Sequence, residues 1–160
     1  MIGVYQQEKV DHFTIVNDVM KKYLNQNSQS AGSFKLPKDA YNPLRQQYDA
    51  MRILNHIAGK DGLRFDLRLG LVDVDIYSQG MNFMFGLADP LKKTAIVSTY
   101  RLRGEKENER ISKEIIHEIG HLLGLGHCSR PKCVMYFSNT VTDTDKKGIN
   151  FCNDCRSRIE

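Results

Sequence analysis

Apolar residues at Phe13, Val16, Met20 and Tyr23 recur at helical spacing, predicting an amphipathic helix behind a short strand over residues 1–5. The polar stretch 25–33 (NQNSQSAGS) reads as a loop. Asn42-Pro43 reads as an N-cap and first-turn proline opening a second helix, which carries Leu44, Tyr48, Met51, Leu54 and Ile57 and ends at Gly59. From Phe65 the period changes to alternation, with Phe65, Leu67, Leu69 and Leu71 in one phase and Val72, Val74 and Ile76 in the other. That change of phase near Gly70 predicts a bulge or a bend. Segments 81–87 and 94–100 are further strand candidates, the second rich in β-branched residues. Helical and strand periods mixed in this way predict helices packed on a sheet.

A third helix is predicted between about Lys106 and Leu123. There Ile111, Ile115, Ile116, Ile119, Leu122 and Leu123 fall within an arc of roughly 140°, and that arc faces the core. His117 and His121 lie about 40° apart on the opposite side, facing a cleft or solvent. Two histidines four residues apart with Glu118 between them form the H-E-x-x-H pattern of a zinc site, although so short a pattern also arises by chance. His127 narrows the reading. On a continuing helix it would lie about 9 Å along the axis from His121, too far to share an ion bonded at about 2 Å. The helix must therefore stop, and Gly124 supplies the residue that turns the chain back. Three imidazoles on one zinc leave a fourth position for water, which is the arrangement of a hydrolytic site, with Glu118 as general base.

Length and composition narrow the classes. The 160 residues suffice for one domain, and 41% hydrophobic with 26% charged residues marks a globular chain. The net charge of +4 comes from interleaved residues, as in 101–110 (RLRGEKENER), so a nucleic-acid partner gains little support. Cysteine aside, no uninterrupted apolar run exceeds the four residues 134–137, so neither a secretory segment nor a membrane span is expected. A cytoplasmic protein follows as the expectation, and in a reducing compartment Cys128, Cys133, Cys152 and Cys155 read as a structural zinc site. Two disulfides or a redox pair at Cys152 and Cys155 are the rival readings. A structural metal would brace the loop that carries His127, since the tail beyond Gly124 is too short to bury a core of its own.

The run from His117 to His127 resembles the metzincin clan of zinc peptidases, in which a methionine turn lies beneath the metal; Met135 is the candidate here. His127-Cys128 with Cys133 and Met135, and Cys152 with Cys155, resemble the archaemetzincins more narrowly. The segments 82–86 (NFMFG) and 97–102 (VSTYRL) do so too, so the resemblance spans most of the chain. It implies an α+β fold, a two-lobed zincin with a twisted mixed sheet, a backing helix and an active-site helix. Residues 1–124 would form the larger lobe and 125–160 a small zinc-stapled C-terminal lobe. It also implies two zinc ions per chain, one catalytic and one structural, and a monomer acting on peptides or proteins. Some clan members place a tyrosine two residues after the turn methionine; this chain has Phe137 there and Tyr136 one position earlier, so no phenol ligand is expected. Segment 94–100 reads either as a sheet edge that pairs with an extended substrate or as an ordinary strand. Arg110, on the histidine side of the third helix, reads equally well as half of a surface salt bridge. The competing functions are a zinc-stapled binding module, such as a nucleic-acid-binding zinc ribbon, and a zinc hydrolase of a non-peptide amide.

Overall fold

The computed structural model describes residues 1–160. In chain order the first elements are β1 (Ile2–Gln7), α1 (Phe13–Leu24), β2 (Ser28–Phe34), β3 (Tyr41–Asn42), β4 (Gln47–Asp49) and α2 (Ala50–Ala58). Then come β5 (Leu67–Val72), β6 (Ile76–Tyr77), β7 (Gly86–Asp89), β8 (Thr94–Ser98), α3 (Glu107–Leu122), α4 (Val141–Lys146) and α5 (Asn153–Ile159). The main sheet has the order β2-β1-β5-β8-β7, parallel except for β7, which closes one edge antiparallel to β8. A smaller sheet, β3-β4-β6, lies beside it.

Both faces of the main sheet are covered. Ile2, Val4, Leu69, Leu71, Ala95 and Val97 share one core with α1 and α3, while Tyr5, Val72 and Ile96 share a second with α2. The first core also takes in Leu125, Val134, Met135 and Phe151, so the chain beyond Gly124 packs onto the same interior as the sheet. Ile111, Ile115, Ile116 and Ile119 of α3 are fully buried there, each stabilising the helix on the sheet by about 1.5–3 kcal/mol. No helix is long and apolar enough to cross a membrane.

Four sequence expectations need correction. Segment 25–33 is not all loop: Ser28–Phe34 is edge strand β2, polar because it is largely exposed, and it is held by its parallel ladder to β1. The second helix begins at Ala50 rather than at Pro43. Its N-cap is Asp49, whose carboxylate accepts from the backbone N–H groups of Met51 and Arg52. Asn42 makes the same kind of bond to Leu44 and Arg45, but within the turn joining β3 to β4, which leaves Leu44 exposed. No bulge interrupts β5 at Gly70, which pairs in unbroken register on both sides. The apparent change of phase arises because both faces are buried, and a Cβ at Gly70 would come within 3.1 Å of Ile57 and 3.2 Å of Ile96. Finally, β8 is interior and ends at Ser98; the edge strand is β7, and residues 81–85 before it are irregular apart from one bridge from Met84 to Ile76.

Candidate active site and metal centres

The end of α3 sets the geometry of the site. Gly124 has φ +101°, its N–H donates to the His121 carbonyl at 3.1 Å, and the Leu125 N–H donates to the Gly120 carbonyl at 3.0 Å. This is a Schellman closure, and it reverses the chain one residue after the helix cap at Leu123. His127 is thereby carried back to the other two histidines. Ring centroids lie 4.7 Å apart for His117 and His121, 4.9 Å for His121 and His127, and 5.3 Å for His117 and His127.

Their tautomers follow from their partners. His117 Nδ1 lies 2.9 Å from the Val134 carbonyl and His121 Nδ1 lies 2.8 Å from the Leu125 carbonyl. A carbonyl oxygen only accepts, so each Nδ1 bears the proton and each Nε2 presents a lone pair. These two Nε2 atoms are 3.2 Å apart, a repulsive contact unless a cation sits beside both. Two nitrogens bonded at about 2.05 Å to one tetrahedral zinc stand about 3.3 Å apart, so the donor set fits that ion.

His117 and His121 were expected to face a cleft or solvent, and both line a cleft, but His117 is only 4% exposed because the chain after Gly124 folds over that side of α3. Glu118, also on the cleft, is 6% exposed. His121 is partly buried and His127 exposed. Burial, then the nearby Lys147 charge, pulls the His117 pKa down to about 2 against the opposing bond to Val134. His127 is lowered by burial and by the charges of His121 and Lys147. Burial first, then the Glu114 charge, pushes Glu118 well above the usual carboxylate range, and Lys147 opposes this. Glu118 lies against β7: a Cβ on Gly86 would come within 2.8 Å of its Cγ and 2.9 Å of its Oε1. Met135 is fully buried beneath α3, where a Cβ on Gly120 would come within 2.5 Å of its Sδ.

A cleft of about 540 Å³ opens over these groups, lined by Phe83, Phe85, Leu125, Phe137 and Asn139 among others. Its rim at residues 81–85 is pinned by the small sheet. Arg45 donates to the carbonyls of Met81 and Asn82 at 2.8 and 3.3 Å, and Gln47 donates to Asn82 at 2.7 Å. Arg101, paired with Asp75 at 2.7 Å, stacks 4.0 Å from the Phe83 ring. The Phe137 ring stands 5.0 Å from His127, while Tyr136 contributes its backbone carbonyl to Lys147 at 3.2 Å. Arg110 pairs with Asp145 at 2.8 Å, in keeping with the salt-bridge reading.

The four cysteines also converge, their Sγ atoms all within 4.8 Å of one another. Cys128 and Cys152 are 3.8 Å apart, as are Cys133 and Cys155, well beyond the disulfide length of about 2.05 Å. Thiolates bonded at about 2.3 Å to a tetrahedral zinc stand about 3.8 Å apart, which fits this set as well. The backbone N–H of Cys155 leads in drawing Cys152 down to about 6, whereas burial pushes Cys133 and Cys155 up. Sequence patterns missed Gly86 and Gly120, whose role is to give room to Glu118 and Met135. They also missed Glu114 and Lys147, buried charges on this side of α3. Glu114 had one available signal, its place one turn before Glu118; Lys147 had none.

The family model for peptidase family M54 matches residues 9–160. The archaemetzincin of Nanoarchaeum equitans is 47% identical over 131 residues, covering 81% of this chain and 72% of that protein. The crystal structure of archaemetzincin from Methanopyrus kandleri superposes with a TM-score of 0.90 at 35% identity, over 99% of this chain and 92% of that one. A zinc-dependent peptidase from Methanocorpusculum labreanum gives 0.87 at 28% identity, with both chains fully covered. With the family model matched over nearly its full length and relatives this similar, the chain belongs to peptidase family M54, the archaemetzincin metallopeptidases.

Proposed function

We propose that His117, His121 and His127 hold a zinc ion, and that Glu118 is the general base for hydrolysis of a peptide bond in the cleft above them. The observation that carries this reading is the pair of Nε2 lone pairs fixed 3.2 Å apart by the bonds of both Nδ1 atoms to backbone carbonyls. Zinc bound there supplies a Lewis acid, which brings the pKa of water toward 7 and polarises a carbonyl. Glu118 accepts the proton of the attacking water and returns it to the departing amine. Burial raises the proton affinity of Glu118, which suits it to take up that proton, while a cation held by the histidines would favour the carboxylate it must be beforehand. The free edge of β7 offers unpaired backbone groups along the cleft wall, where Gly86, Leu87 and Ala88 lie, so an extended peptide can add as a further strand.

A second zinc on Cys128, Cys133, Cys152 and Cys155 would staple residues 125–160 as a small lobe. Cys128 directly follows His127, and its N–H donates to the Met135 carbonyl at 3.0 Å, so that metal would brace the turn beneath the first. Cleavage of a diverse peptide library by wild type and Glu118→Gln, with the zinc content of both measured, tests the reading. The variant should retain zinc and lose on the order of 10²- to 10⁴-fold in kcat. Wild-type rates in a zinc-loaded Glu118→Gln protein would refute the assignment.

A further inference from the structure

Lys147 is a charged residue whose side chain is fully buried at the end of α4. Its Nζ lies 3.3 Å from Glu114 Oε1 and donates to the Tyr136 carbonyl at 3.2 Å. Glu114 is itself only 3% exposed, lines the cleft, and accepts a bond from Thr144 Oγ1 at 3.0 Å. Burying two charges is costly, and an ion pair in such a place commonly adds no more stability than a well-packed apolar pair would. Stability alone therefore does not account for it. The partners point elsewhere. Glu114 stands one helical turn before His117 and Glu118 on α3. Tyr136 sits between Met135, packed under α3, and Phe137, whose ring touches His127. The ammonium thus joins the two chain segments that face each other across the site.

Neighbouring contacts hold α4 in the place this requires. Lys113 Nζ donates to the carbonyls of Thr144 and Asp145 at 3.0 and 3.3 Å, and Arg110 pairs with Asp145. At its other end α4 is closed by a capping box between Thr140 and Asp143. α4 is therefore docked on α3 independently of Lys147, which leaves the lysine free to serve the turn.

We propose that Glu114 and Lys147 form a positioning pair that clamps the Met135–Phe137 turn to the active-site helix, fixing Phe137 and the His127 ring it touches for hydrolysis. This rests on the proposed chemistry at His127 and Glu118. The clamp acts on how the turn is held rather than on substrate binding at the rim, so kcat should suffer more than KM.

The test compares the zinc-loaded wild type with Glu114→Gln/Lys147→Met, a double variant that removes both charges and keeps the volumes. Steady-state cleavage of one library-selected peptide and hydrogen exchange of residues 134–139 are both measured. The double variant should keep its zinc, lose about tenfold or more in kcat with KM within about threefold, and exchange faster in that segment. Unchanged kcat and exchange in a folded, zinc-loaded double variant would overturn the proposal. Should the double variant not fold, Glu114→Gln alone keeps an acceptor for Thr144 and Lys147 and is read by the same two measurements. A wild type that cleaves no peptide would overturn the hydrolytic reading and this one with it. A cleaving wild type with an indifferent variant removes the clamp alone.

Discussion

Gly86 shows how little space a reactive carboxylate is given. It opens β7 at the point where the strand crosses Glu118, and a methyl group there would meet the Ile96 carbonyl at 2.7 Å as well as the Glu118 side chain at 2.8 Å. Backbone cannot yield easily on one side, so Glu118 would be displaced on the other. Gly86→Ala should therefore destabilise the protein by about 1–3 kcal/mol through overpacking, and lower kcat by one to two orders of magnitude, on the order of what an ångström of misplacement costs. Thermal melts with steady-state kinetics check this, and unaltered kcat would mean that the carboxylate has freedom the packing does not suggest. Gly120 makes the same point on the helix itself, where the missing side chain lets Met135 lie against the backbone. Both glycines are silent in a residue pattern, because their reason is a neighbour distant in sequence.

Among the elements, what the sequence made legible depended on how local its cause was. The apolar stripe of α3 and the glycine that ends it act within a few residues, so both the helix and the reversal that returns His127 could be foreseen. Strand β2 could not, because its polar residues are held by pairing to β1 rather than by their own pattern. The chemistry of Asn42 was foreseen but its setting was not, since the same side-chain bond serves a turn as readily as a helix start. The cysteines were legible as a set because metal spacing is local within each pair. Their closeness to the turn is a tertiary fact: Cys128 bonds to Met135, and Val134, which receives His117 through its carbonyl, donates its own N–H to Asn150 at 3.1 Å. Cys152→Ser should thus weaken zinc binding at the proposed histidine site by roughly ten- to a hundredfold, the usual effect of losing a group that orients a ligand. A competition titration with a coloured chelator measures it, and an unchanged affinity would detach the two metal sites from one another.

For the whole molecule, proton linkage sets how zinc and stability depend on pH. His117 has its folded pKa drawn down to about 2 by burial and by Lys147, while a free imidazole titrates near 6.5. The unfolded chain therefore takes up this proton first, so the contribution of His117 to stability is complete above about pH 6.5 and is lost as pH falls below it. His127 is shifted in the same direction. Asp145, lowered mainly by its bond from Arg110, adds a loss that begins only below about pH 4, where a free aspartate titrates. Glu118 works the other way without metal: raised by burial and by Glu114, it holds a proton that the unfolded chain releases above about pH 4.3, so its contribution declines as pH rises. A nearby divalent cation favours the carboxylate and removes that penalty, and it binds only thiolate, so it must displace the protons that burial holds on Cys133 and Cys155. Both effects make zinc more stabilising at higher pH. The rise in Tm on adding zinc to chelator-stripped protein should accordingly shrink between pH 7.5 and pH 5, with each tenfold loss of affinity removing about 1.4 kcal/mol at saturating metal. Paired melts across that range decide it: an increment independent of pH would mean that the bound ion displaces no protons from the thiols that burial raises, and would count against the cysteines as its ligands.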